Sequence, residues 1–263
     1  MEKFFDGQWA LILGVSSGFG AAAAKALSKS GMNIAGVHLD RKSTLHQVET
    51  LKKDLESQGS KVLFYNLNAA QAESRQKVVQ GLQENGVQGI HVLLHSLAFG
   101  ALKPFIADSA KEELSQSQFE MTLDVMANSL VYWTQELNRN SLLLDGGRIF
   151  AMTSAGSSRV WKSYGAVSAA KASLESYCRQ LALELAHKKI TANAILAGVT
   201  DTPALRKIPG NEAMIETAKS RNPFGRLTTP DDVAQALVAL SLPHSGFITG
   251  NTIRVDGGEN VVD

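Results

Sequence analysis

The chain has 263 residues, of which 44% are hydrophobic and 19% charged, and its formal net charge is +1. This composition predicts one sizeable core and provides no excess charge that would attract nucleic acid or an anionic membrane. The single cysteine, Cys178, cannot form an internal disulfide, and no spacing typical of metal ligands occurs.

Seven short apolar runs predict buried β-strands, because they lack the alternation of a strand with one face in water. The N-terminal apolar stretch is too short for a signal peptide or membrane span, so we expect a cytoplasmic protein. Segments of helical composition separate the runs. This alternation predicts an α/β fold, a single doubly wound Rossmann-type domain over residues 1–263 with a seven-stranded parallel sheet. The predicted strands are 9–14, 33–39, 61–67, 90–97, 147–154, 191–198 and 251–258, and the helices are 18–30, 43–58, 70–85, 117–138, 163–187 and 230–241.

A glycine-rich turn follows the first predicted strand. Gly14, Gly18 and Gly20 have the spacing Gly-x3-Gly-x-Gly and lead into the first helix. Glycines here let the backbone approach a pyrophosphate at the helix N-terminus. A tight turn without a ligand is the alternative, and the position directly after a strand favours dinucleotide binding.

Tyr164 and Lys171 lie seven positions apart in a predicted helix. Seven residues fall only about 20° short of two full turns, so both side chains are expected on one face. A lysine charge close to a phenol favours the phenolate and would make the phenol a better proton donor. Taken alone, the pair is more simply explained as a surface lysine and a half-buried core tyrosine.

The segment at about 202–226 has little regular pattern and follows the end of a predicted strand. Open α/β sheets bind ligands at the carboxyl ends of their strands, so a mobile substrate lid is predicted here. A peripheral helical insertion is the alternative. Within it, Arg206 and Lys207 are more simply explained as a surface pair than as a site for an acidic partner.

The glycine turn, the Tyr164–Lys171 helix and the segment NTIRVDGG at 251–258 resemble the short-chain dehydrogenase/reductase superfamily. The resemblance covers essentially the whole chain, with HSLA at 95–98, LAGVTDT at 196–202 and NPFGRLTTPDDVA at 222–234 in corresponding places. It implies a nicotinamide cofactor. The residues that would bind it are Gly14, Ser16, Ser17, Gly18, Phe19, Gly20, His38, Leu39, Arg41, Lys42, Asn66, Leu67, Ser96, Leu97, Ala98, Lys171, Gly198, Val199, Thr200 and Thr202.

Departures from the common family pattern point to a subfamily. Ordinary members carry Tyr-x3-Lys, but the corresponding tyrosine position holds Val167, and a position that is usually Asn falls at about Met126. The Tyr-x6-Lys spacing resembles that of the enoyl-acyl-carrier-protein reductases. Ser154, where some of these enzymes have a second tyrosine, makes the chain resemble their type III members.

Enoyl reduction gives a physical reason for the longer spacing. Hydride is added to the β-carbon rather than to the carbon that bears oxygen, so the group that stabilises the oxygen must lie farther from the nicotinamide. Three helical residues move the tyrosine Cα by about 4.5 Å. The hypothesis assigns Tyr164 to the enolate oxygen, Lys171 to the cofactor ribose and Ser154 to the catalytic set, with Phe99 and Trp161 beside Tyr164 in an acyl pocket.

Cofactor preference depends on the residues after the second predicted strand. By alignment with the family, His38 takes the place of the acidic residue that binds the ribose diol of NAD, and Arg41 and Lys42 follow it. This favours NADPH, with NADH possible. Asp40 lies 20 residues after Gly20, however, where a simpler counting rule expects the carboxylate of an NAD site.

The expected partner is an acyl thioester, with acyl carrier protein or coenzyme A as its carrier, and the resemblance implies a homotetramer. His95 ends a buried strand and is expected to make a structural hydrogen bond. Two other functions stay open: a carbonyl or β-ketoacyl reductase of the same superfamily, and a non-catalytic protein that senses nicotinamide. Val167, Met126 and Ser17, which replace polar or basic residues of relatives, keep the sensor in consideration, and the intact Tyr164–Lys171 pair argues against it.

Overall fold

A computed structural model describes residues 4–262 of the chain, so the outermost residues of the predicted domain lie outside the described part. Seven strands form one sheet in the order β3-β2-β1-β4-β5-β6-β7, and all six neighbouring pairs are parallel. The strands are β1 (Trp9–Leu13), β2 (Asn33–His38), β3 (Val62–Asn66), β4 (Ile90–His95), β5 (Leu143–Ser154), β6 (Thr191–Ala197) and β7 (Thr252–Val255). The prediction of a doubly wound, seven-stranded parallel sheet is confirmed.

Helices cover both faces of the sheet. They are α1 (Gly18–Lys29), α2 (Leu45–Ser57), α3 (Ala72–Glu84), α4 (Gln116–Leu123), α5 (Ser129–Arg139), α6 (Gly165–Glu184), α7 (Asn211–Arg221) and α8 (Pro230–Ser241). Within 4–262, none of them is both long enough and apolar enough to cross a bilayer.

Each strand supplies both faces of the core, which explains why the predicted strands are continuously apolar. Leu11 and Leu13 of β1 belong to the cluster formed with α3, α5 and α6. Ala10 and Ile12 belong to the opposite cluster, formed with α1, α2 and α8. Successive side chains of a strand point to opposite faces, so a strand between two helical layers needs an apolar residue at every position.

Two element boundaries differ from the sequence expectation. The helix predicted at 117–138 is divided into α4 and α5 by a π-helical turn at Asp124–Asn128. Strand β5 begins at Leu143, before the Asp145–Gly146–Gly147 segment that indicates a turn in the sequence. Its pairing with β4 shifts register between Ile90 and Val92, so the sheet absorbs these residues as an irregularity.

The segment predicted as a lid contains a 3₁₀ turn, Leu205–Lys207, followed by α7. Arg206 makes a bidentate ion pair with Asp201, at 2.7 and 2.9 Å, so its charge is already partnered within the segment. This agrees with the simpler explanation of Arg206 as a surface group. The lid itself stays a prediction.

Candidate active site

The glycine turn lies where three strand ends meet. A Cβ on Gly14, whose φ is +89°, would stand 2.5 Å from the carbonyl oxygen of Ser96 after β4. A Cβ on Gly20 would collide with the Gly14 carbonyl. Gly18 lies beside Thr202, with 3.7 Å between its ideal Cβ position and the Thr202 methyl. Side chains are thus excluded where the backbone would have to approach a pyrophosphate, and the turn fits a dinucleotide.

At the ends of β2 and β3, a network of hydrogen bonds fixes the carboxylate of Asp40. His38 Nδ1 lies 3.0 Å from Asp40 Oδ2, and the Thr44 hydroxyl donates to Oδ1 at 2.9 Å. The Asn66 side chain accepts from the Asp40 amide and donates to its carbonyl, at 2.9 and 3.0 Å. Asp40 is therefore held rigidly at the candidate cofactor edge, a position that the family resemblance gave to His38 instead.

Asp40 is held in its charged form. Partial burial acts to raise its pKa, but the hydroxyls of Ser16 and Thr44 and the His38 ring together lower the pKa below its ordinary value. Ser16 belongs to the glycine turn, so the carboxylate faces the place where adenosine would lie. The other predicted residues here, Leu39, Arg41 and Lys42, are exposed, as is Ser17 of the glycine turn.

Tyr164 stands immediately before α6, as its N-cap residue, rather than within the helix. Its ring packs over Gly156, where a Cβ would lie 2.6 Å from the Tyr164 Cε1 atom and 3.3 Å from Ser154 Oγ. The Tyr164 and Ser154 side chains are thereby brought together at the end of β5. Among the described residues the Ser154 hydroxyl is fully buried and makes no hydrogen bond of good geometry, and its influence on the Tyr164 phenol shows that the two groups are close.

Lys171 also turns toward β5. Its ammonium donates to the Met152 carbonyl at 2.6 Å, two residues before Ser154. Both members of the predicted pair therefore converge on the last residues of one strand. Burial lowers the pKa of Lys171 to about 8, although the nearby Glu175 carboxylate opposes this.

The electrostatic prediction for Tyr164 is wrong in its direction. We expected the lysine to favour the phenolate, but burial raises the pKa of Tyr164, and only the Ser154 hydroxyl opposes the rise. The reason is that the Lys171 ammonium is directed at a backbone carbonyl. Tyr164 therefore remains a neutral phenol, able to donate a hydrogen bond, throughout the physiological range of pH.

The positions at which ordinary family members carry tyrosine and asparagine form a small apolar contact. Val167 and Met126 are 4% and 3% exposed. A Cβ on Gly100 would lie 2.8 Å from Val167 Cγ2, 2.8 Å from Thr122 Cγ2 and 2.9 Å from Met126 Sδ. These side chains pack against each other and against Gly100, so neither position has the polar environment of a proton donor.

His95 has the structural hydrogen bond expected of it. Its Nε2 lies 2.8 Å from the Ser129 hydroxyl, which itself donates to the Val125 carbonyl at 2.8 Å. The ring must therefore donate from Nε2. Burial, assisted by the charge of Lys171, lowers the pKa of His95 to about 3, so the ring is neutral.

The amino-acid sequence also matches known proteins. A family model described as enoyl-(acyl carrier protein) reductase matches residues 14–260. The chain belongs to this family. It is thus an oxidoreductase of the short-chain dehydrogenase/reductase superfamily.

Relatives of the enoyl-(acyl carrier protein) reductase family fall on both sides of the choice between enoyl and ketoacyl reduction. The enoyl-[acyl-carrier-protein] reductase [NADH] FabI of Aquifex aeolicus is 28% identical over 264 residues, covering 98% of this chain and 93% of that protein. The 3-oxoacyl-[acyl-carrier-protein] reductase FabG of Thermotoga maritima is 26% identical, with 96% and 98% covered. Sequence identity alone therefore does not separate the two reactions.

A solved structure from the same family shows the same fold. The enoyl-(acyl-carrier-protein) reductase of Anaplasma phagocytophilum in complex with NAD superposes with a TM-score of 0.84 at 26% identity. The superposition covers 100% of this chain and 95% of that one. The two proteins therefore share one fold over the whole length of this chain.

Of the predicted substrate residues of this family member, Trp161 contacts the lid segment, whereas Phe99 lies in the loop after β4. Trp161 Nε1 donates to the Pro209 carbonyl at 3.3 Å, and Phe99 is largely exposed after β4. Phe105, which the sequence did not single out, packs its ring on Gly165 next to Tyr164 and against Phe119 at 6.0 Å between ring centroids. Phe105 lies in an irregular loop, where no periodicity marks it.

The loop after β6 contains the predicted residues Gly198, Val199, Thr200 and Thr202. The Thr202 hydroxyl accepts a hydrogen bond from the Leu205 amide at 3.2 Å, and the Thr200 hydroxyl donates to the Gly198 carbonyl at 3.0 Å. Residues 4–262 contain no group of three or more His, Cys, Asp or Glu side chains that would hold a metal ion.

Proposed function

We propose that this protein reduces the 2,3-double bond of an enoyl thioester with a reduced nicotinamide cofactor. The observation that carries the proposal is the position of the polar side chains at the end of β5. Tyr164 and Ser154 lie together there, and the buried Lys171, seven residues after Tyr164, is directed at the same strand end. Val167 and Met126, in contrast, pack in the apolar core. Of the two tyrosine positions, 164 and 167, only 164 therefore provides a phenol that could stabilise a substrate oxygen.

The cofactor would lie along the strand ends, with its pyrophosphate on the glycine turn and α1. When bound, it supplies the hydride that is added to the β-carbon. Lys171 would move from the Met152 carbonyl to the ribose hydroxyls, with its charge held close to the nicotinamide end. The loop at 198–202 would close the opposite side of the same groove.

Tyr164 would act on the thioester oxygen. As the β-carbon gains a hydride, the electrons of the double bond move toward the carbonyl and charge develops on that oxygen. The neutral phenol of Tyr164 donates a hydrogen bond to it, and the Ser154 hydroxyl lies close enough to Tyr164 to orient the phenol. The α-carbon then takes a proton from solvent. Phe99, Phe105 and Trp161 would shield the acyl chain from water.

For the cofactor, the sequence favoured NADPH, and the structure supplies a reason to propose NADH. The Asp40 carboxylate is fixed, charged and directed at the glycine turn through Ser16, and a 2′-phosphate placed there would be repelled. Arg41 and Lys42 remain exposed beyond it. The relative from Aquifex aeolicus named above is an NADH enzyme by its name, in agreement with this proposal.

The decisive experiment follows nicotinamide absorbance with a short trans-2-enoyl thioester and, in parallel, the matching β-ketoacyl thioester. Enoyl reduction predicts oxidation of the cofactor with the first substrate and not with the second. Tyr164→Phe should lower kcat by about 100-fold or more, as expected for loss of an oxyanion donor. Tyr132→Phe, on α5, is the matched control and should retain activity.

The second candidate is β-ketoacyl reduction, which the similarity to the Thermotoga maritima protein favours. Oxidation with the ketoacyl substrate alone would establish it and overturn the proposal. Tight cofactor binding without turnover of either thioester would instead support a sensor. The carrier of the acyl group, the homotetramer and the cytoplasmic location stay predictions.

A further inference from the structure

The residues that follow β7 form a turn that contacts several loops of the candidate site. We refer to residues 256–260 as the C-terminal clasp. The side chain of Glu259 accepts a hydrogen bond from the Val199 amide at 2.9 Å, in the loop after β6. The Asp256 carbonyl accepts from the Asn222 side chain at 3.0 Å, just after α7. One short turn thus holds both ends of the predicted lid segment.

A third contact of the clasp reaches the loop between β5 and α6. Arg159 donates to the Asn260 carbonyl at 3.3 Å, a few residues before Tyr164. Within the clasp, the Asp256 carboxylate accepts from the amides of Gly258 and Asn260, at 3.0 and 3.2 Å, and from the Asn260 side chain at 2.8 Å. The clasp is therefore a rigid turn, and the segments attached to it are held relative to one another.

Glu259 is the contact closest to the candidate cofactor groove. It is 6% exposed, and a Cβ on Gly198 would lie 2.8 Å from its Oε2 atom. The carboxylate therefore lies directly against the Gly198–Val199 peptide, on the loop predicted to bind the cofactor. Such burial of a carboxylate is costly, because a single peptide N–H and nearby charges replace its hydration.

The charged groups around Glu259 come from three elements. Burial raises the pKa of its carboxyl group, and the Asp256 carboxylate of the clasp acts in the same direction. Arg159, after β5, and Arg221, at the end of α7, oppose the rise. Glu259 therefore takes up a proton at a higher pH than an ordinary glutamate, and the bond to Val199 then loses its charged acceptor.

We propose that Glu259 is a positioning residue that holds the 198–202 loop in the geometry needed to bind the nicotinamide end of the cofactor. The inference rests on the proposed nicotinamide chemistry, because the loop matters only if it forms part of the cofactor groove. Thr202 packs against Gly18 of the glycine turn, so movement of the 198–202 loop would also alter the pyrophosphate end.

The test is NADH affinity, measured by fluorescence titration of the wild-type protein and Glu259→Gln over a range of pH. The glutamine retains the shape and can accept from Val199, but it lacks the charge. A charged acceptor makes a hydrogen bond roughly twice as strong as a neutral one, so we expect the variant to bind NADH about fivefold more weakly at neutral pH. Wild-type affinity should fall toward acid pH until it equals that of the variant, whose own affinity should stay flat.

Glu49→Gln, an exposed change on α2, is the matched control and should follow the wild-type profile. If wild type does not bind NADH or NADPH, the proposed function fails before the inference is tested. If wild type binds and Glu259→Gln has the same affinity and the same pH profile, the inference is wrong. A lowered melting temperature with unchanged NADH affinity would also contradict it, since it would mean that Glu259 only stabilises the fold.

Discussion

At the scale of single residues, burial determines the protonation of the candidate catalytic pair. It raises the pKa of Tyr164 and lowers that of Lys171 to about 8, so the phenol stays protonated while the ammonium loses its proton just above neutral pH. The alkaline limit of any activity should therefore come from the lysine. Burial cannot be read from the Tyr-x6-Lys spacing, which is why our sequence prediction gave the wrong direction for the tyrosine.

Cofactor affinity is predicted to fall as pH rises through about 8, because neutral Lys171 no longer attracts the ribose hydroxyls with a full charge. The measurement is the NADH dissociation constant across this range, with Lys171→Met as the comparison. The variant should bind weakly at every pH. A wild-type profile that stays flat to about pH 10, the ordinary range of lysine, would contradict the assignment.

The same shift predicts a change in stability with a definite sign. Between pH values of about 8 and 10.5, the unfolded chain keeps the Lys171 proton while the folded protein has lost it. The unfolded state therefore binds more protons, and this residue makes the free energy of unfolding rise with pH in that window. Denaturant titrations of wild type and Lys171→Met should differ in slope there.

Asp40 is predicted to determine the choice between the two nicotinamide cofactors. Replacing it with alanine removes a fixed negative charge, so Asp40→Ala should raise the ratio of NADPH to NADH affinity by about tenfold or more. Asp145→Ala is a suitable control, since that carboxylate is exposed at the opposite end of the sheet. An unchanged ratio of NADPH to NADH affinity in Asp40→Ala would mean that Asp40 does not determine cofactor preference, and would favour a role for Arg41 and Lys42.

At the scale of elements, local sequence signals identified the helices well and their interruptions poorly. The segment TTPDD predicts the start of α8, and Thr229 forms a full capping box with Asp232, with Pro230 in the first turn. No comparable signal marks the π-helical turn at Asp124–Asn128. That turn lies where Met126 packs beside Gly100 and where Ser129 meets His95, so tertiary contacts favour it over a regular helix.

Loss of the α8 cap is predicted to destabilise the protein by about 1 kcal/mol. Thr229→Ala removes the acceptor for the Asp232 amide, and denaturant unfolding would measure the change. Thr217→Ala, at an exposed position of α7, should have almost no effect.

The Arg226 guanidinium, together with hydrogen bonds from Thr229, holds the pKa of Asp232 well below its ordinary value, although partial burial acts to raise it. The stability that the charged Asp232 side chain contributes should therefore be lost only as pH falls below about 4.

At the scale of the whole molecule, one end of the sheet carries the candidate site and the other end contributes to stability. The carboxyl ends of the strands hold the candidate site, and the opposite end contains a buried arginine. Arg148, at 3% exposure, donates to the carbonyls of Leu240 and Leu242, at 3.2 and 3.0 Å, and so fixes the end of α8 to β5. Its cation also suits the negative end of the helix dipole.

Arg148→Met is predicted to destabilise the protein by about 3 kcal/mol, because it leaves buried carbonyls without a donor. Thermal and denaturant unfolding would measure this loss. Specific activity per folded molecule should be retained, because Arg148 lies at the opposite end of the sheet from the candidate site. Arg139→Met, which removes a surface ion pair with Glu136 and a surface hydrogen bond to Gln135, should change stability very little.

The sequence by itself determined the order of strands and helices, the parallel sheet and the family, because these depend on local periodicity and short motifs. It also singled out Tyr164 and Lys171 as a candidate pair, because their spacing is a local property. Only the tertiary structure showed that Val167 and Met126 close up as core, that Asp40 is held toward the glycine turn, and that Glu259 reaches back to Val199. These are contacts between residues up to 60 positions apart, and their energies depend on burial and orientation, which local patterns do not encode.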